Sequence, residues 1–336
     1  MTHPAKETPG DPLEVGWRPP PFLPPGEPAI DSEGVRRYEH VTYAQTTGYR
    51  PVLMDVHVPA SAEPVGAVVW LHGGAWLDGD RRYPPPTIDP DGLFGGIVRA
   101  GLALVRVDYR HSLESPFPAQ LHDGKAAVRY VREFAGEFGI DPGRIGVWGE
   151  SAGGHLAMLL ALTGDSDPAL EGIVGVTAQS SEVQAVVNWY GVADVAALLS
   201  RLHSAEQPDP CESLLGPRRD QWPALARAAS PLAYLTPGSG PRVPMLVQHG
   251  TADSVVPFDH SERLAAALEA AGTPVTFVPV PDADHCFVGS PDVPAIVARG
   301  IGFLRDALAP ERPPATVIRQ EGDRPYGNRR TRLAEP

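Results

Sequence analysis

Cysteine is nearly missing from this chain. Two occur in 336 residues, Cys211 and Cys286, with no CxxC pair and no metal-ligand spacing. That excludes a disulfide-built scaffold and a zinc-ribbon module. Two reduced thiols are the simpler reading; a disulfide tying the 210s loop to the loop around residue 285 is the other. Long apolar runs are missing too, none approaching the roughly 20 residues that span a bilayer. The opening Met1-Thr2-His3-Pro4-Ala5-Lys6 has no basic region leading into an apolar one, so no secretory signal is expected and the cytoplasm is the expected location. Positive charge is in deficit, with 28 Lys and Arg against 41 Asp and Glu and a formal net charge of −13. Nucleic acid and membrane are therefore not expected as partners, because both select a basic face. No P-loop, no G-x-G-x-x-G turn after a strand and no internal repeat occurs. No metal and no other cofactor is expected.

What is present is a core-forming composition with proline at its ends. Hydrophobic residues make up 42% and charged residues 21%, enough to bury a sizeable core in one large domain. Residues 1–35 read as a proline-rich arm, loose or draped over the domain, because Trp17-Arg18-Pro19-Pro20-Pro21-Phe22-Leu23-Pro24-Pro25 can only run extended. Residues 310–336 read as a polar tail. Neither shows chemistry.

Between them, over 36–309, short apolar runs alternate with helical periods. Val65–Leu71, Leu102–Asp108, Arg144–Gly149, Val183–Tyr190, Val243–His249 and Val275–Val280 read as buried strands. Leu121–Phe138, Ala152–Leu162, Phe258–Ala271 and Pro294–Leu308 read as helices, the third stopping at Gly272 before Pro274. Arg37–Gln45 and Val52–Pro59 flank a turn-like Thr46-Thr47-Gly48-Tyr49 and read as an antiparallel hairpin at one edge. The pattern predicts an α/β fold, a mostly parallel sheet of about eight strands flanked by helices. Residues 192–236 break the alternation with short helical pieces interrupted by Pro208, Pro210, Pro217 and Pro223, a candidate small lid facing substrate.

Gly149-Glu150-Ser151-Ala152-Gly153 places a serine on a sharp turn from strand to helix, where only small neighbours fit beside it. A plain glycine turn would look the same in isolation, but not with both elements in place. Glu150 beside the serine could tune the site; anchoring this turn by hydrogen bonds is the favoured account. His72-Gly73-Gly74-Ala75-Trp76 follows the Val65–Leu71 strand, and its amides, with that of Ala152, can stabilise an oxyanion. Gly74 and Ala75 are the stronger donors and Gly73 a neighbour; His72 is expected to brace the loop. A serine hydroxyl needs a base and the base an orienting carboxylate. His285 and Asp253 both lie just past strands, where open parallel sheets place their ligands. His111, His122, His155, His249 and His260 are rival bases, with His155 read as packing and His249 as a turn residue. Asp282 and Asp284 sit too near His285 along the chain to reach the back of its ring. Trp76, Trp189 and Tyr190 are candidates for lining a substrate pocket, with core packing nearly as good an account of each. Arg110 could face a substrate carboxylate; a structural ion pair, with Asp123 the candidate partner, is the favoured account.

These motifs, together with Asn188-Trp189-Tyr190-Gly191, Ala229-Ser230-Pro231-Leu232, His249-Gly250-Thr251-Ala252-Asp253 and Asp284-His285, make the region from Arg36 to Leu308 similar to the esterase/lipase branch of the α/β-hydrolase superfamily. The nearest likeness is to hormone-sensitive-lipase-like and feruloyl-esterase-like bacterial carboxylesterases. The resemblance implies Ser151 as nucleophile, His285 as base, Asp253 as acid, amides of Gly74, Ala75 and Ala152 as oxyanion donors, and an acyl-enzyme formed from a small-molecule ester. Two departures stand out: Ala75 replaces the third glycine of the lipase loop, and Cys286 the usual glycine after the histidine. The same machinery can serve lactones, amides, formamides, acyl transfer or cyclisation. A non-catalytic binding protein on this frame is the alternative of another class, and three triad members together argue against it. Outer helices and the arm offer surfaces for a homodimer, which nothing requires.

Overall fold

The computed structural model describes residues 20–199 and 209–310. Nine strands form one sheet: β1 (Ala29–Ile30), β2 (Arg36–Ala44), β3 (Val52–Val58), β4 (Val65–Leu71), β5 (Ala103–Val107), β6 (Ile140–Glu150), β7 (Ala185–Trp189), β8 (Met245–Gly250) and β9 (Val275–Val280). Their order is β1-β2-β3-β5-β4-β6-β7-β8-β9. From β5 to β9 every neighbouring pair is parallel, while β1, β2 and β3 join antiparallel at one edge. All six apolar runs and the hairpin form strands, but β9, at the sheet edge, is buried only at Val280 rather than throughout.

β4 divides its side chains between two cores. Val65, Ala67, Val69 and Leu71 join a cluster with the helices Ala119–Glu133 and Ala152–Thr163. Val68 and Trp70 join Leu93, Phe94 and the helix Val293–Ala307 on the opposite face. This is the period of two acting on a sheet covered on both sides. Trp70, Trp148 and Trp189 meet edge to face at 4.8 to 6.0 Å between ring centroids, each pair adding about 1 kcal/mol beyond its buried area.

Three differences from the sequence reading have local causes. The helix expected over 121–138 ends at Glu133 and resumes as Ala135–Phe138, with Phe134 at the break against Tyr130 and Phe22. Over its described residues, 20–35, the arm takes the draped course, and residues 29–30 add an unexpected ninth strand: Leu23 N–H donates to Thr42, Gln45 N–H to Pro21, and Tyr130 hydroxyl to Leu23. Its first 19 residues and the tail beyond 310 lie outside the described residues. Lastly, the described part of 192–236 is a packed part of the body. Its helices Val195–Leu199, Pro210–Leu215 and Trp222–Ala228 bury Leu198, Cys211, Leu214, Leu215 and Ala226 in the main core.

The chain runs from β4 outward to β5, then returns to β6 on the other side of β4. Connections therefore leave the carboxyl ends of β4 and β6 in opposite directions and open a crevice between them. The loop at residues 72–76 and the turn at Ser151 border that crevice.

Candidate active site

Ser151 stands between β6 and the helix Ala152–Thr163 with φ 52° and ψ −117°, a strained conformation for a residue with a side chain. The glycines on either side make it attainable. A Cβ on Gly149 would sit 2.1 Å from the Gly153 carbonyl oxygen, and one on Gly153 2.0 Å from that of Leu71. Ser151 N–H donates to Trp189 O at 2.9 Å, tying the turn to β7.

His285 and Asp253 reach this serine from the ends of β9 and β8. His285 Nε2 is 3.1 Å from Ser151 Oγ, and its Nδ1 is 2.8 Å from Asp253 Oδ2. Oδ1 of Asp253 accepts N–H bonds from Val255 and Val256 at 2.9 and 2.8 Å. Burial raises the Asp253 carboxyl, but hydrogen bonds from His249 and His285 outweigh it and hold the group well below the usual carboxylate range. With Asp253 ionised, Nδ1 of His285 carries the proton and Nε2 is free to accept the serine's. Asp284 accepts from the backbone N–H groups of both His285 and Ser254 at 2.7 Å, so it joins the two loops without touching the ring.

His72, His155 and His249 are each occupied elsewhere. His72 donates through Nδ1 to Gly73 O at 2.7 Å and stacks on Tyr109; burial pulls it down to about 4, leaving a neutral brace. His155 accepts from Trp76 Nε1 and donates to Ala229 O, and burial likewise takes it to about 4. His249, which reads in sequence as a turn residue, is fully buried. Its Nε2 faces Asp253 Oδ2 at 3.1 Å and Val256 O at 2.9 Å, while Nδ1 lies 2.7 Å from Ser261 Oγ. Two acceptors at Nε2 put the proton there, making His249 a second donor to Asp253. Nothing in its spacing signals this.

Of the four amides expected at an oxyanion pocket, Gly73 is already used: its N–H donates to Glu150 Oε1 at 2.6 Å. A carboxyl buried without a Lys or Arg partner takes the nearest donor. The N–H groups of Gly74, Ala75 and Ala152 have no acceptor among the described residues. Gly74 at φ 104° and Ala75 at φ 54° hold the left-handed loop.

A cleft of about 680 Å³ opens over Ser151, walled by residues 72–75, by 78–80 and 83–86, and by Glu150, Val255, His285 and Cys286. None of its lining comes from the described part of 192–236, so the wall expected from a lid is supplied by the Asp78–Pro86 loop. Trp76, Trp189 and Tyr190 do not line it either. Trp76 bonds His155, Trp189 bonds Gln248, and Tyr190 lies buried with its ring 4.7 Å from that of His285. Each indole N–H found an interior acceptor, which fixed the ring in the core. Arg110 grips Asp123 with two bonds of 2.7 and 2.8 Å away from the cleft. The cysteines are not joined: Cys211 is in the core and Cys286 beside the cleft, both thiols free. Among the described residues no group of three or more potential ligands is arranged to hold a metal ion.

The family model described as BD-FAE matches residues 54–268. Esterase LipQ from Mycobacterium tuberculosis is 32% identical over 289 residues, covering 80% of this chain. The match spans 65% of LipQ, just under two thirds of that protein's length. Among solved structures, a truncated carbohydrate esterase from gut microbiota aligns with a TM-score of 0.68 at 27% identity, covering 84% of this chain and 99% of that one. Thermogutta terrifontis esterase 2 phosphorylated by paraoxon aligns at 0.62 and 26% identity, covering 81% and 96%.

Proposed function

This chain belongs to the BD-FAE family and has the α/β-hydrolase fold, and from that premise we propose that it hydrolyses small or medium carboxylic esters through an acyl-enzyme on Ser151. The observation that carries the reading is the unbroken line from Asp253 Oδ2 through both nitrogens of His285 to Ser151 Oγ, with steps of 2.8 and 3.1 Å. His285 takes the proton of Ser151 as Oγ attacks the ester carbonyl. Negative charge on the carbonyl oxygen is met by the N–H groups of Gly74, Ala75 and Ala152. Collapse expels the alcohol, protonated by His285, and water activated by the same imidazole releases the acid. Apolar Tyr83, Pro84, Pro85, Pro86 and Val255 on the cleft wall suit an acyl chain or an aryl group. That the relatives above are named esterases supports the ester class.

No helix among the described residues is long and apolar enough to cross a membrane. Two unpaired thiols support the cytoplasm as the compartment.

The test is turnover of p-nitrophenyl esters from acetate to octanoate by wild type and Ser151→Ala, with fluorophosphonate labelling read by mass spectrometry. We expect a loss of about three orders of magnitude or more in the variant, and label on Ser151 alone. A wild type no faster than Ser151→Ala refutes the reading.

A further inference from the structure

Glu150 precedes the nucleophile, yet its side chain is buried and no Lys or Arg among the described residues offsets its charge. Three loops converge on it. The Gly73 amide donates to Oε1 at 2.6 Å, and a Cβ on Gly73 would fall 2.3 Å from that oxygen, so a larger residue there would have to push the carboxyl aside. From the end of β7 the Tyr190 hydroxyl lies beside the carboxyl and beside the Cys286 thiol, without a well-aligned bond to either. From the turn after β9, His285 lines the same cleft as Glu150, and its ring rests against that of Tyr190, 4.7 Å away between centroids.

We propose that the Glu150 carboxylate, set among the Gly73 amide, the Tyr190 hydroxyl and the His285 ring, is a positioning residue that holds the oxyanion loop and stabilises the imidazolium formed when His285 takes the serine proton. This rests on the ester-hydrolase reading. Holding the Gly73 N–H on the Glu150 carboxyl fixes the next two peptide planes, those carrying the Gly74 and Ala75 donors. As the reaction proceeds His285 gains a positive charge, and a desolvated carboxylate nearby lowers the energy of that state more than that of the neutral imidazole. Asp253 holds the ring from one side and the charge of Glu150 acts from another.

Other groups around the carboxyl do not duplicate it. His72 is neutral near pH 7, burial pushes the Tyr109 and Tyr190 hydroxyls upward and the Cys286 thiol to about 12, and Asp78 and Asp80 line the cleft on the 78–80 loop, Asp80 paired with Arg82. Burial raises the Glu150 carboxyl to about 7 against the opposing bond from Gly73. The working state therefore loses activity when either Glu150 or His285 gains a proton.

The experiment measures kcat and kcat/KM for p-nitrophenyl acetate from pH 5 to 9 in wild type, Glu150→Gln and Glu150→Asp, with fluorophosphonate labelling of each. Glutamine keeps an acceptor for Gly73 N–H and removes the charge. We expect kcat to fall about tenfold with KM within about threefold. The acid limb of kcat/KM should steepen towards two protons in wild type and follow one proton in Glu150→Gln. Glu150→Asp, which keeps the charge at shorter reach, should recover part of kcat and the two-proton limb. Glu150→Gln with wild-type kcat and an unchanged limb overturns the proposal. So does a one-proton limb in wild type down to pH 5, a measurement that needs no variant. A wild type that neither turns over ester nor labels at Ser151 refutes instead the hydrolase reading beneath, and this proposal with it.

Discussion

Replacing Asp253 by asparagine tests the triad more sharply than removing any of its members. Backbone N–H groups of Val255 and Val256 both point at Oδ1. They fix which way an amide must turn: its oxygen replaces Oδ1 and its NH2 replaces Oδ2. That NH2 then faces the nitrogens of His285 and His249, which lie 2.8 and 3.1 Å from Oδ2. His285 must offer a lone pair at Nδ1, so its proton moves to Nε2 and points at Ser151 Oγ, and the base is lost. A wrong tautomer costs about 10⁴ in kcat, roughly 5.4 kcal/mol of transition-state stabilisation. His249 must turn over its proton as well, leaving the buried Val256 carbonyl short of a donor at a cost of about 1–3 kcal/mol in stability. The assay is kcat on p-nitrophenyl acetate at pH 8 with a thermal melt of each variant. Asp284→Asn, whose oxygen still accepts from two backbone amides, should lose under tenfold, on the order of what a peripheral brace contributes. Less than a tenfold loss in a folded Asp253→Asn would refute the assignment of Asp253 as the orienting acid.

Gly153→Ala should cost about 3 kcal/mol or more, because its Cβ meets the backbone oxygens of Leu71 and His72, which cannot turn aside; an unchanged melting temperature would contradict the close approach of the elbow to β4. Arg110→Leu leaves Asp123 charged and enclosed, and should lower unfolding stability by about 3–5 kcal/mol in urea titration; the double variant Arg110→Leu/Asp123→Leu should regain part of it. For Glu150 the sign runs opposite to an ordinary salt-bridged carboxylate. Its folded value, about 7, exceeds the unfolded one, so the cost of burying the charge is absent below pH ~4.5 and complete above ~7, on the order of 3 kcal/mol. The melting temperature of Glu150→Gln relative to wild type should therefore rise between pH 5 and pH 8, and a gap constant with pH would show that the carboxyl is not desolvated.

Such a trade, stability given up for a charge beside the nucleophile, is what a functional site commonly shows. The same holds for the backbone. Ser151, Ala75 and Cys286 all take positive φ, and all three line the cleft.

The sequence by itself determined the strands, the serine turn and the order of the motifs, because these depend on near neighbours. A buried strand shows as an unbroken apolar run, and a strand-to-helix turn as small residues around one serine. Tertiary packing decided everything that depends on which distant group arrives. Gly73 gives its amide to a residue 77 positions away, and Ser151 meets a ring 134 positions away. His249 looks like a turn residue until Asp253 folds back over it, and Trp76 and Trp189 look like pocket aromatics until His155 and Gln248 draw their N–H groups inward. A hydrogen-bonding group takes the partner that burial leaves it, and spacing along a chain does not record that choice.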